Sequence, residues 1–246
     1  MRRLRWIGVG CLLFGVALGA GPAIAQRNEM PTGYPQSLEG DLQKLLVIVR
    51  ETGPSPSLLV RLSETYFDIA DDLQTDKSQR LETYEAGAKA AKQAYELDDS
   101  NADAHFLHAV NLGSAEQLRG VTNAAMVVGE IKRCAQRTIE LNPRHAQALQ
   151  FMGGLLIDLP WFLGGDEKQA QQYLERAVAA DTSYTKAHLL LAKLYKKQSR
   201  LDEARTHLEA VVRAEHPRYR YTWERQYKPE AERLLREWER SGSAKP

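Results

Sequence analysis

Cysteine is nearly absent from this chain. There are two, Cys11 and Cys134, and the first falls in a stretch laid out like a removable leader. One remaining thiol cannot staple a fold, so a disulfide framework is excluded. A lone Cys134 inside a helical pattern reads as a small buried hydrophobe. An excess of one charge is also lacking. The 33 basic and 32 acidic residues become 30 and 32 if a leader carrying Arg2, Arg3 and Arg5 is removed. That balance excludes a global field drawing the protein to nucleic acid or anionic lipid. The motifs of chemistry are missing as well: there is no nucleophile elbow, no glycine-rich phosphate loop and no cysteine pair. Asp103, His105 and His108 come nearest to a metal cluster. Nothing beside them supplies the Glu of a zincin motif, and both histidines fall at core-like positions, with Asp103 in a first helical turn where acid suits the dipole. No catalytic residue, cofactor or metal is expected.

What is there begins with the N-terminus. "MRRLR" is basic, "WIGVGCLLFGVALGAG" is apolar, and Ala23 and Ala25 are small. That order predicts a signal peptide over residues 1–25, cleaved near Ala25/Gln26, and a periplasmic or secreted protein. The alternative is an uncleaved membrane anchor, since Trp6–Ala25 carries no charge. Cys11 follows Gly8-Val9-Gly10, which lacks the aliphatic residue of a lipid-attachment site.

The rest of the chain repeats itself. "ELDDSNADAH" (96–105), "ELNPRHAQAL" (140–149) and "AADTSYTKAH" (179–188) each end one amphipathic helix, pass a polar turn and open another. Each carries an alanine at one offset: Ala104, Ala148 and Ala187. A period near forty residues with this chemistry predicts an all-α solenoid of about four helical hairpins over 57–216. A capping helix in 26–56 is expected before it. An aromatic and basic segment with a second capping helix, 217–246, follows. In the last unit Leu191, Ala192 and Tyr195 share one face, and Leu201, Ala204, Leu208 and Val211 another. Small residues let antiparallel helices approach, so Ala192 and Ala204 are read as the crossing pair. Ile131 is a poor crossing residue, so unit two is expected to pack differently or to shift register.

"LPWFLGGD" (159–166) is the enlarged turn of the third hairpin. Pro160 ends one helix, Gly164 and Gly165 allow the reversal, and Asp166 is placed to cap the next. The expectation for Trp161, Phe162 and Leu163 is a satellite core, because exposing all three invites aggregation. The alternative is that they dock a partner. "HPRYRYTWERQYK" (216–228) interleaves base and aromatic as single-strand binders do. Alternation of Tyr219, Tyr221 and Trp223 instead predicts an extended strip packed on the last hairpin; nucleic acid is not an expected partner.

The spacing in "AHLLLAKLY" and "LDEARTHLEAVV" resembles the tetratricopeptide repeat. "AYELDDSNADAH", "IKRCAQRTIELNPRHAQALQFMG", "LPWF" and "YLERAVAADTSYTKAHLLLAKLY" extend the resemblance to two elongated-repeat groups: the T components of tripartite ATP-independent periplasmic transporters and the regulators of microtubule dynamics. The resemblance implies a scaffold that binds something else. For the transporter group it implies a periplasmic solute-binding subunit as partner and a channel through the helical body.

First helices line the inner face of such solenoids. The expected exposed inner positions include Glu64, Asp103, Phe106, Val110, Gln150, Ile157, Asp158, Lys186, Lys193 and Lys197. They run from mixed apolar and acidic to basic. Two hypotheses follow. One is a non-enzymatic exported scaffold for a protein or peptide, with a homo-oligomer open. The other is a small-ligand carrier with an apolar tunnel. Membrane contact is expected only if the leader stays attached.

Overall fold

The computed structural model describes residues 32–242, so the expected leader and its cleavage point lie outside the described residues. Within them every regular element is helical. The order is α1 (Ser37–Thr52), α2 (Pro56–Asp68, prolonged by a π-turn Ile69–Leu73), α3 (Lys77–Leu97), α4 (Ala102–Arg119), α5 (Val121–Leu141), α6 (Ala146–Asp158), α7 (Glu167–Ala180), α8 (Thr185–Lys197), α9 (Leu201–Val212), the single turn α10 (Arg220–Thr222) and α11 (Lys228–Gly242). The hairpins α2–α3, α4–α5, α6–α7 and α8–α9 stack in order, which is the tetratricopeptide-like solenoid.

The repeated turns explain the period. Asp98, Asn142 and Asp181 each close a second helix in an extended conformation. Each side-chain oxygen then accepts from the backbone two residues on: Ser100 at 3.0 Å, Arg144 at 3.2 Å and Ser183 at 3.0 Å. Such side-chain turns substitute for the lost helical bonds. Asn101 and His145 then cap α4 and α6 through the amides of Ala104 and Ala148. Ala104, Ala148 and Ala187 follow, all fully buried.

Where helices approach most closely, glycine makes the room. A Cβ on Gly153 would lie 2.6 Å from Leu174 Cγ, and one on Gly87 would lie 2.4 Å from Asn111 Oδ1. The Gly87 carbonyl accepts from Ser63, whose hydroxyl also accepts from Asn111 Nδ2, so units one and two are locked by a buried polar link. Ile131 is fully buried, and its bulk is taken up by Gly113 opposite, whose added Cβ would sit 3.8 Å from Ile131 Cδ1. Ala192 and Ala204 are both buried but serve different neighbours. Ala192 joins Leu208 and Val211, while Ala204 joins Leu174 and Leu191 at the junction with unit three.

α1 covers the first hairpin through Leu45, packed with Leu62 and Ala90. It ends at Gly53 (φ +82°), and Ser55 caps α2 ahead of Pro56. At the other end α11 lies on α9 and buries Ala231 and Leu234. The segment before it is not extended, as the alternation suggested. It is helical from Arg220, with a π-turn over Trp223–Tyr227 that ends two residues before Pro229. A proline cannot donate to the preceding turn and its ring crowds the carbonyl four residues back, so the helix widens there. The buried set is therefore Tyr219, Trp223 and Tyr227, four apart.

Candidate functional site

Two surfaces were candidates for function: the face lined by first helices and, in the alternative reading, the third hairpin's turn. The first is far less open than its spacing suggested. Phe106 and Val110 lie in the main core, where the Phe106 ring meets His145 at 5.0 Å and Phe151 at 6.3 Å. Gln150 is buried and accepts from the Tyr184 hydroxyl at 2.8 Å. Lys186 is buried with its ammonium 5.9 Å from the Tyr227 ring centre. Ile157 is half-buried. Of the expected groove residues Asp103, Lys193 and Lys197 stand exposed, and each is paired, with His145, Glu230 and Glu167 respectively. The reason is twofold. α4 and α6 are enclosed on nearly all sides, and the chain's own 218–227 segment is seated against the first helices.

That seat is built from specific contacts. Arg218 pairs with Asp181 at 2.7 Å, and its amide donates to the Ser183 carbonyl at 3.2 Å. Tyr219 takes a hydrogen bond from Gln147 at 2.8 Å and meets the Tyr184 ring edge-on at 5.4 Å. Trp223 donates its indole N–H to the Val211 carbonyl at 2.8 Å. Tyr221 crosses to Tyr34, 5.1 Å between ring centres. The interior beside the seat holds Tyr184, Tyr219, Gln147 and Gln150, bonded to one another in pairs.

Beside the seat lies an acidic strip. Asp103 is exposed and bonds His145 Nε2 at 3.0 Å. That bond holds its pKa below the usual carboxylate value. Glu64 is half-buried on α2 and held well above the carboxylate range, by desolvation first and the Asp103 charge second, against Arg61 and Arg218. Asp158, farther along, is pushed up to about 7 by burial despite Lys186 and Lys193. A carboxyl kept off its ordinary value on an accessible wall is a marker of a binding position. His105 and His108 are not in this strip. His105 stacks on Tyr95 at 4.7 Å, and His108 is bonded to the Ala88 carbonyl and Glu130, both at 2.9 Å. Among the described residues no group of three His, Cys, Asp or Glu is placed to hold a metal ion.

The second surface reverses its expectation. Trp161 is 85% exposed and Phe162 67%, while Leu159 is buried and Leu163 packs against the main core. The turn is rigid. Leu163 and Gly165 amides donate to the Pro160 carbonyl, the Gly164 amide to Trp161, and the Asp166 amide back to Leu156. Consecutive residues of a tight 3₁₀ turn point about a third of a turn apart. With Leu159 and Leu163 facing in, Trp161 and Phe162 are turned out. Asp166 caps α7 as expected, through Lys168 and Gln169.

The regulator of microtubule dynamics protein 1-3 family matches residues 24–157, more than half of the sequence. The chain belongs to that family. A tetratricopeptide repeat family matches residues 163–221, so the two matches flank the exposed turn. Regulator of microtubule dynamics protein 1 from Bos taurus is 28% identical over 177 residues, 64% of this chain and 56% of that protein. The protein of the same name from Homo sapiens is 28% identical over 154 residues, 56% of this chain and 49% of that one. This family member therefore spans about half the length of those relatives. Among solved structures, the crystal structure of MamA superposes with a TM-score of 0.47 at 17% identity, covering 74% of this chain and 93% of that one.

Proposed function

We propose that this chain is an exported, non-enzymatic tetratricopeptide scaffold that holds a protein or peptide partner through the face of its first helices. The carrying observation is the seat itself. The solenoid already grips a peptide segment, through an arginine–aspartate pair at the α7–α8 turn and a glutamine of α6 on a tyrosine hydroxyl, as a partner's segment would be gripped. Next to it lie the half-buried Glu64 and the exposed Asp103. A basic side chain there would restore the charge on Glu64 that burial and Asp103 now oppose. The narrower form, assembly with a periplasmic solute-binding subunit, is supported by the transporter-group resemblance and the export-type leader. The family relation gives a second source of partners, since the relatives are named for microtubule dynamics.

The test is photocrosslinking in the native cell envelope, with the crosslinker replacing Glu64, Asp103 or, on the opposite helix α3, the exposed Lys92. A discrete partner at the first two positions and none at Lys92 is the expected result. Equal labelling at all three would overturn the assignment of the face.

A further inference from the structure

Trp161 and Phe162 are the most exposed large apolar side chains among the described residues. They do not belong to a loose loop. Every backbone bond noted above fixes the turn, and Gly165 is wedged so tightly that a Cβ would lie 1.9 Å from the Leu159 carbonyl oxygen. Two aromatics held outward on a rigid turn lose little freedom on insertion into an apolar phase, which lowers the cost of binding.

The surroundings decide what that phase is. Lys132 reaches the Gly164 carbonyl at 3.0 Å, Lys168 stands exposed in the first turn of α7, and Lys197 arrives from α8 to pair with Glu167. Against these three lysines stand the carboxylates of Glu167 and Asp166, which leaves a local excess of one positive charge. Tryptophan, phenylalanine and a collar of lysines form the chemistry of a membrane interface, with rings at headgroup depth and ammonium groups at phosphates.

We infer that the Trp161–Phe162 turn is a wedge that seats this edge of the scaffold on the surface of an anionic lipid bilayer, leaving the first-helix face free for its partner. The seat requires no global charge and no retention of the leader. It uses a local collar and two inserted rings.

The full chain tests this on vesicles of equal parts phosphatidylethanolamine and phosphatidylglycerol with brominated acyl chains. Trp161→Phe keeps an apolar tip, so the difference in quenching between wild type and this variant isolates Trp161 from Trp6, Trp223 and Trp238. Quenching of the Trp161 component is expected. Trp161→Ser with Phe162→Ser should weaken vesicle partition by about tenfold or more, given the apolar area of two rings. An unchanged thermal midpoint will show that the double variant is folded. Equal quenching in wild type and Trp161→Phe would overturn the wedge. So would Trp161 shielded from aqueous quencher without lipid, with a dimer in sedimentation that the double variant abolishes, because the turn would then dock a second copy. Equal quenching on phosphatidylcholine vesicles would overturn the anionic requirement.

Discussion

Two aromatic runs of this chain, Trp161–Phe162 and Tyr219–Tyr227, met opposite fates. Both sit next to turns and both carry rings that a solvated loop should avoid. The later run is buried, with Tyr219 at 2% and Trp223 at 8% exposure, and the earlier one stands in solvent. The difference lies in spacing and in polar atoms. Tyr219, Trp223 and Tyr227 recur every fourth residue, so one helical face collects them. The Tyr219 hydroxyl and the Trp223 indole find Gln147 and the Val211 carbonyl. Trp161 and Phe162 are adjacent on a 3₁₀ turn whose inward positions are already filled by Leu159 and Leu163. Aromatic content alone does not choose between core and surface. Periodicity and the fate of each N–H and O–H do.

The largest expected effect breaks the buried side of that comparison. Trp223→Ala removes a packed indole together with its bond to Val211, and should cost about 3–5 kcal/mol in urea unfolding. A loss under about 1 kcal/mol would mean that the segment is only laid on the surface. Next comes Gly165→Ala, which tests the rigidity of the exposed side. Its Cβ would meet the Leu159 carbonyl oxygen, a backbone atom that cannot step aside, so the turn must rebuild at a cost of about 2 kcal/mol or more. Unchanged stability would show the turn to be pliable.

These contrasts also measure how much was legible in the residues. The solenoid was, because Ala104, Ala148 and Ala187 mark the close approaches and an Asp or Asn opens each intervening turn. The Asp166 cap was local chemistry and read directly. Exposure on the inner face was not, because it depends on a segment arriving from far along the chain. Gln147 meets Tyr219 across 72 residues, and Lys186 is covered by Tyr227. Period-two alternation of Tyr219, Tyr221 and Trp223 misled, whereas the four-residue spacing through Tyr227 carried the usable signal. Trp161 and Phe162 were read as core because aggregation was weighed above geometry. The rigid Pro-Gly-Gly frame was the sign that they are presented outward.

Acid should separate the two regions again. His188 and His207 face each other across α8 and α9, Nδ1 to Nδ1 at 2.8 Å, with Tyr195 and Glu175 alongside and Glu203 and Arg200 beyond. Burial, then the His207 charge, pulls His188 down to about 4, and His207 is lowered too, by burial. A base depressed on folding binds protons more readily in the unfolded chain. Its contribution is full above the ordinary value near 6.5 and is lost as pH falls from there to about 4. The loss is on the order of 2–3 kcal/mol. It falls on the hairpin that carries Leu208 and Val211, the floor under Trp223. Urea midpoints at about pH 7 and about pH 4.5 should therefore drop together with Trp223 burial. A His207→Gln variant that keeps the full acid dependence would exclude the pair as its source.

The smallest expected effect is the sharpest. Trp161→Ala removes the largest side chain of the turn, yet its ring touches little but Phe162, edge-on at 6.0 Å. Each backbone bond of the turn survives the change, as do the inward Leu159 and Leu163 that anchor it. Stability should move by no more than about 0.5 kcal/mol, as for a surface site outside any network. The same substitution in a packed satellite core would cost several times more. A near-zero shift in urea unfolding therefore separates a ring displayed for contact from a ring used for folding. A loss of about 3 kcal/mol would return Trp161 to the core and leave the edge of the solenoid without its wedge.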